Sequence, residues 1–299
     1  MRRGTRGVCF SAARSVFFFL FTPRAGGTSV SGPDSGDRAV DVALKLAEEL
    51  FGFGSSGATP GWVRDRVRRY LEHQSYKSGF TMNEVARELI KDKAAVERIV
   101  TSLRVGETRF YRDGAQWEAI ERHLEKLFPA DVELQVLSAG CSTGEEAYTM
   151  GMLLTAARRR FRVLGVDRSA EAIAVAREAT YGREAARDIP PAWVERFCDE
   201  QNGRLRVGLL VRNAVEFEEY DLVKRVPQGP FHLILFKNVL LYLTPQAGEQ
   251  VATRLANELE DGGVLFSAAS EVLRLRSMGL ETVRLTPSVT AFRPAKRRP

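Results

Sequence analysis

Two short segments hold the residues best placed to do chemistry: LQVLSAGCSTGEEAY at Leu134–Tyr148, and FRVLGVDRSAEAI, which carries Asp167. Each begins with an apolar run; the first passes into a small-residue turn and the second ends in an acid. Gly140 and Gly144 permit backbone to approach a ligand closely, and Asp167 can accept hydrogen bonds from two ribose hydroxyls. An adenosine-type cofactor is the expected ligand, and no metal is expected.

The turn lacks the full GxGxxG fingerprint and the lysine that grips a triphosphate, which disfavours nicotinamide dinucleotides and ATP. Glu145 and Glu146 follow at a helix start, where two acids would repel phosphate, so a cofactor with a positive centre fits better. S-adenosylmethionine is such a cofactor. The alternative is that both glutamates complement the helix dipole. Cys9, Cys141 and Cys198 are far apart and form no CxxC pair, so neither a disulfide framework nor a zinc site is indicated. His73, His123 and His232 are scattered and read as surface or packing residues.

These residues need a scaffold, and the pattern of apolar residues changes near Pro129. Before it the spacing is helical: Val40, Leu44, Ala47 and Leu50; Val63, Val67, Tyr70 and Leu71; Val96, Ile99, Val100 and Leu103; Trp117, Ile120, Leu124 and Leu127. Thr81 and Glu84 form a capping box. After Pro129 come ELQVLSA, FRVLGVD, a region around RLRVGLL and AVEF, FHLILF and GGVLFSAA. Apolar runs alternating with helices imply a parallel sheet in an α/β layer. Thr244 and Pro245 should start a helix that Gly262 and Gly263 stop. LETVRL and VTAFR lie too close for a crossover and should pair as an antiparallel hairpin.

The expected organisation is a leader and linker over 1–37, a small all-helical domain over 38–128 and an α/β domain over 129–296. The leader holds VFFFLF at Val16–Phe21, a run too short for a bilayer, which needs roughly 20 apolar residues; no stable membrane insertion is expected. Residues 22–37, rich in Gly, Ser and Pro, read as a linker. The 299-residue chain is 44 % hydrophobic and 27 % charged with a formal net charge of +6, which suits a globular protein with acidic partners, and its three scattered cysteines fit a reducing cytoplasm.

In order and spacing, VGETRFYRD, LSAGCSTGEEAYTM, VLGVDRSAEAIAVAREATYG, VPQGPFHLILFKNVLLYL and DGGVLFSAASEVL resemble the chemotaxis receptor methyltransferase family (CheR) over about residues 40–294. The resemblance implies a helical N-terminal domain joined to a Rossmann-like, S-adenosylmethionine-dependent methyltransferase domain that methylates glutamates on the cytoplasmic domains of methyl-accepting chemoreceptors. It also implies site residues. Gly106, Thr108 and Arg112 occupy the linker motif, with Arg112 able to hold the methionine carboxylate in a bidentate fork or to pair with Asp113 or Glu118. Asp167 matches the ribose acid, Asp221 and Leu222 the pair near adenine, and Lys237 and Asn238 the pair closing the fourth strand.

Arg112 and Tyr242 are the candidate catalytic residues; Tyr242 reads equally well as a strand-end tyrosine bonded to backbone. Arg64, Arg66 and Arg68, with Arg69 nearby, occupy the place of a basic substrate-facing helix, or simply form a solvated face. Gly106 and Asp221 each replace an asparagine, Lys237 an arginine and Ala147 a proline. In some members of the family an insertion between Tyr181 and Val215 carries a glycine-rich turn that docks a receptor peptide; only Asn202-Gly203 stands there, and such tethering is not expected. Two other readings stay open: a small-molecule or nucleic-acid acceptor, and an inactive cofactor-binding signalling module.

Overall fold

The computed structural model describes residues 35–54, 61–102 and 108–294, without the side chains of residues 35, 101 and 102. The apolar run at Val16–Phe21, Leu103 and the candidate Gly106 lie outside the described residues. The chain divides into two compact units, one made of its first part together with Tyr242–Thr244, the other of the rest.

The first unit contains four helices: α1 (Ser35–Phe51), α2 (Gly61–Ser78), α3 (Met82–Leu89) and α4 (Lys93–Ser102). On α1 the buried face is Ala39, Val40, Ala43, Leu46, Ala47 and Phe51, whereas Leu50 is 38 % exposed. Val40 and Ala47 of the expected stripe are thus buried and Leu44 packs against the same core, but Phe51 rather than Leu50 fills its end. Val63, Val67 and Leu71 bury the matching face of α2. Thr81 and Glu84 form the expected reciprocal cap at the start of α3. Residues 242–244 close the end of α1, where the Gly54 amide donates to the Tyr242 carbonyl at 3.1 Å and the Thr244 amide to the Gly52 carbonyl at 2.9 Å.

The second unit runs α5 (Gly114–Leu127), β1 (Leu134–Ala139), α6 (Glu145–Ala156), β2 (Phe161–Asp167), α7 (Ala170–Glu178), β3 (Thr180–Gly182), α8 (Pro191–Phe197), β4 (Cys198–Gln201), β5 (Arg204–Val207), α9 (Leu209–Arg212), β6 (Val215–Glu219), β7 (Phe231–Leu235), α10 (Pro245–Asn257), β8 (Leu259–Phe266), α11 (Val272–Ser277), β9 (Glu281–Arg284) and β10 (Thr290–Arg293). Trp117, Ile120 and Leu124 of α5 are buried in the core of this unit. That helix therefore belongs with the sheet, and the boundary expected after Phe128 falls earlier in the chain.

Seven strands form one sheet in the order β6-β2-β1-β7-β8-β10-β9. The first five are parallel neighbours, and β10 runs antiparallel to both β8 and β9. This is the α/β methyltransferase-type sheet with the antiparallel C-terminal hairpin expected from the sequence. Nearly every residue of β1 is buried, as the continuous apolar run requires of a strand covered on both faces.

Two local expectations are corrected. RLRV does not join the main sheet: it is β5, centre of a separate antiparallel sheet in the order β3-β5-β4. Its hairpin turns at Asn202 and Gly203, both at positive φ, a two-residue turn that only such residues accommodate easily. Nor does Gly262-Gly263 stop α10, which ends at Asn257. The pair sits inside β8 at a register shift between Phe231 and Leu233. A side chain on Gly263 would come within 2.9 Å of the Glu260 and Phe231 carbonyls, so the bulge, not a helix cap, demands glycine there.

Candidate active site at the carboxyl ends of the parallel strands

β1 lies between β2 and β7 in the sheet, so the chain leaves it on one side first and returns on the other. The crevice outside the carboxyl ends of such strands is where open α/β sheets bind ligands. The end of β1 leads into Gly140–Gly144, β2 ends at Asp167, β6 leads to Asp221 and Leu222, and β7 to Lys237 and Asn238.

The turn after β1 is held by its neighbour. The amides of Gly140 and Cys141 both donate to the Val166 carbonyl, at 2.8 and 2.9 Å. Gly140 has φ +85°, Ser142 +50° and Gly144 +96°. A Cβ on Gly140 would lie 2.4 Å from the Val239 side chain, and one on Gly144 2.8 Å from the Ala176 methyl. Both glycines are thus required by the fold itself, whatever ligand comes near. Cys141 is buried beneath the turn; burial, reinforced by the charges of Asp167 and Glu146, pushes its thiol well above the usual range.

Asp167 is 6 % exposed. Its carboxylate accepts the Ser142 amide at 3.1 Å and the Ser169 amide at 2.9 Å, so it ties the turn after β1 to the start of α7. Tyr220 donates its amide to the Asp167 carbonyl at 2.8 Å, which brings the end of β6 alongside. There Asp221 folds back on its own chain: it accepts the Val223 amide at 3.1 Å and pairs with Lys224 at 3.0 Å, while Leu222 is buried.

Gly144 caps α6 without a side chain to offer, and the two acids of the first turn face different partners. Glu145 accepts the Thr143 hydroxyl at 2.7 Å, and Thr108 also hydrogen-bonds to it. Burial raises its pKa against those bonds. Glu146 accepts the Ser138 hydroxyl at 2.8 Å and lies 3.7 Å from the Lys237 ammonium. Burial raises its pKa too, opposed mainly by the Lys237 charge and, more weakly, by Arg112.

Lys237, 2 % exposed at the side chain, also lies 3.5 Å from Asp113 and 4.9 Å above the Trp117 ring. The Trp117 indole donates to the Arg112 carbonyl at 2.7 Å. The two glutamates therefore do not act as one negative patch: Glu146 is neutralised from below.

Thr108, Arg112, Gly140, Glu145, Glu146, Asp167, Asp221, Leu222, Lys237 and Asn238 thus gather about the ends of four adjacent strands. Tyr242 belongs to the helical unit, where it stacks on Phe53 with ring centres 6.2 Å apart; the structure displays a packing role for it. Of the arginines on α2, Arg64 reaches Asp41 at 2.7 Å and Asp37 at 3.5 Å, and Arg68 also pairs with Asp37. Those two fasten α2 to α1 while staying partly exposed, at 35 % and 29 % of their side chains. Arg66 and Arg69 are exposed.

Sequence reasoning missed Glu271, a buried acid that accepts the Asn238 and Leu240 amides at 2.9 Å each. Asn238 has φ +57°, and the sequence signal for its brace was an acid five residues past the end of β8. Lys237 was read as a cofactor contact; its burial against Glu146, Asp113 and Trp117 is a contact that no local spacing reveals.

The donor set suits S-adenosylmethionine: a buried acid beside two tight turns for the ribose, a buried leucine after β6 for an apolar ring, and Glu145 as the acid at the start of α6 not paired with Lys237. Among the described residues no helix is long and apolar enough to cross a membrane, and no group of three His, Cys, Asp or Glu residues could hold a metal ion. The chain is similar to a chemotaxis protein methyltransferase of Listeria monocytogenes, with 28 % identity covering 72 % of this chain and 84 % of that protein. It is similar to chemotaxis protein methyltransferase 1 of Pseudomonas aeruginosa, at 26 % identity over 76 % of this chain and 87 % of the relative. The corresponding protein of Escherichia coli is 28 % identical over 58 % and 64 %. The family model described as CheR methyltransferase, SAM binding domain, matches residues 106–288, well over half of the chain, and with the strand-end site just described it establishes that the chain belongs to the CheR methyltransferase family and takes S-adenosylmethionine as its cofactor.

Proposed function

We propose that the protein is a protein-glutamate O-methyltransferase that esterifies glutamate side chains on the cytoplasmic helices of chemoreceptors, and that it therefore works in the cytoplasm. One observation carries this reading. The likeness to the Pseudomonas chemotaxis methyltransferase covers 76 % of the chain, more than residues 106–299 can supply, so it runs back from the cofactor domain into the helical unit. A shared cofactor domain alone would leave the acceptor open; a shared helical unit argues for a shared acceptor. In this reading the helical unit is the receptor-facing domain and the α/β unit the methyltransferase domain.

The chemistry asks little of the protein in acid-base terms. A glutamate carboxylate has a reference pKa near ~4.3 and is already ionised at neutral pH, so it needs no general base. When bound, S-adenosylmethionine supplies an electrophilic methyl group next to a positive sulfur. What remains for the chain is to hold the two reactants aligned and exclude water, effects that can contribute on the order of 7–11 kcal/mol. Asp167 and the Gly140–Gly144 turn would hold the ribose, Leu222 would pack near the adenine, and Arg112 would bind the methionine carboxylate, with Thr108 and Glu145 beside it. Arg66 and Arg69, exposed on α2, would steer an acidic partner, an attraction that weakens in salt.

Incubation with methyl-labelled S-adenosylmethionine and purified receptor cytoplasmic fragments tests the reading. Label should enter the receptor fragment and leave as methanol on alkaline hydrolysis. Alkali-stable label in the receptor, or transfer only to a small molecule or nucleic acid, would overturn it. So would an absence of any transfer by protein that still binds S-adenosylhomocysteine, the outcome expected of an inactive module.

A further inference from the structure

We infer that Glu271 is a positioning residue for methyl transfer, an internal anion socket that sets the shape of the Asn238–Leu241 loop. The inference rests on the proposed location of the active site at the ends of the parallel strands. Glu271 is 4 % exposed; its hydrogen bonds are to backbone amides, that of the candidate cofactor contact Asn238 among them, and it shares a charge interaction with Arg274. Oε2 accepts the Asn238 amide at 2.9 Å and the Ala268 amide at 3.3 Å, and Oε1 accepts the Leu240 amide at 2.9 Å. The Leu241 amide also bonds to the carboxylate. One carboxylate thus serves four donors from two segments, the loop after β7 and the turn after β8.

That loop needs such an anchor. After β7 it reverses through Asn238 in the left-handed region, and its Asn238, Leu240 and Leu241 amides find their acceptor in Glu271; an amide buried without an acceptor is costly. Arg274 of α11 completes the arrangement by donating to the Leu240 carbonyl, so the loop is gripped through amide and carbonyl alike. Leu240 itself is fully buried. The loop carries Asn238, a candidate cofactor contact, and Val239, against which Gly140 packs without room for a Cβ. Whatever fixes this loop therefore fixes one wall of the cofactor crevice and, through Val239, the turn after β1.

Glu271→Gln tests this, because it keeps the size and removes the charge, placing two N–H donors against a ring of N–H donors. Hydrogen exchange on the protein without acceptor should quicken at the amides of Asn238, Leu240 and Leu241 by about tenfold to hundredfold, the weight of one or two charge-assisted bonds. The amides of Val136, Ile234 and Leu265 in the sheet should keep their rates. S-adenosylhomocysteine affinity should fall by a smaller factor than kcat, with KM for the receptor fragment little changed, and Glu271→Asp should restore part of both. Unchanged exchange in the loop, or an equal rise through loop and sheet, would overturn the inference. An intact kcat with loosened loop amides would do so too. Exchange and affinity are read without an acceptor, so they stand even if the receptor is not the substrate.

Discussion

Replacing Lys237 with methionine should destabilise the α/β unit in a way that depends on pH. The lysine ammonium is 2 % exposed, 3.7 Å from Glu146 and 3.5 Å from Asp113. Removing one partner of a buried ion pair costs about 3–5 kcal/mol because the other charge is left behind. Glu146 is 17 % exposed and keeps the Ser138 hydroxyl, which places the loss near the lower end, about 3 kcal/mol at pH 7.5. For a unit of this size that is a fall of roughly 6–12 °C in midpoint temperature.

The sign of the pH dependence follows from Glu146. Burial holds its folded pKa above the ordinary value, and the Lys237 charge is the chief opposing influence. A carboxyl with a raised folded pKa contributes stability that is present at low pH and is lost as pH rises through the folded value. Without Lys237 that value rises further, so the deficit of the variant should be small near pH 5 and grow toward pH 7.5, by at most about 1.4 kcal/mol per unit. Urea unfolding at the two pH values measures it. The double variant Glu146→Gln, Lys237→Met removes both charges of this pair and should regain most of the loss. A pH-independent deficit with no recovery in the double variant would refute the reasoning.

Asp167→Ala should weaken S-adenosylhomocysteine binding by about tenfold or more, since it removes a charged acceptor and also releases the Ser142 amide that shapes the turn; calorimetry reads this directly. Gly140→Ala should cost about 2–4 kcal/mol, combining a left-handed backbone with a 2.4 Å approach to Val239, seen as a lower thermal midpoint before any ligand is added. Arg66→Glu should leave the fold intact and slow receptor methylation most at low salt. Arg64→Glu sets a third acid beside Asp37 and Asp41 and should lower stability by about 1 kcal/mol as well, so the two variants separate steering from packing when melts and rates are compared.

Much of the α/β unit was legible because its signals are local. A strand buried on both faces must be continuously apolar, and a tight turn into a helix must carry glycine, so β1, β2, β7 and the Gly140–Gly144 turn stand out in the chain. The Thr81–Glu84 cap is local in the same sense. Failures came where one residue type serves two structures. Gly262-Gly263 looks like a helix stop but is a strand bulge, where Gly262 takes a positive φ and Gly263 has no room for a Cβ. RLRV alternates like any half-buried strand, and nothing in it says which sheet it joins. Leu50 and Phe51 are both apolar and adjacent, so only the packed structure decides that Phe51 faces inward on α1.

By itself the sequence determined the kind of cofactor pocket: an acid at the end of β2, glycines at the end of β1 and acids where phosphate would otherwise bind are matters of residue type and spacing. Only the tertiary structure decided the state of those charges. Glu146 is balanced by Lys237, Arg64 and Arg68 are taken up by acids of α1, and Glu271 is turned onto the backbone of a loop far from it in the chain. Charge is written in the sequence, but its neutralisation depends on distances of a few ångströms between segments that meet only after folding.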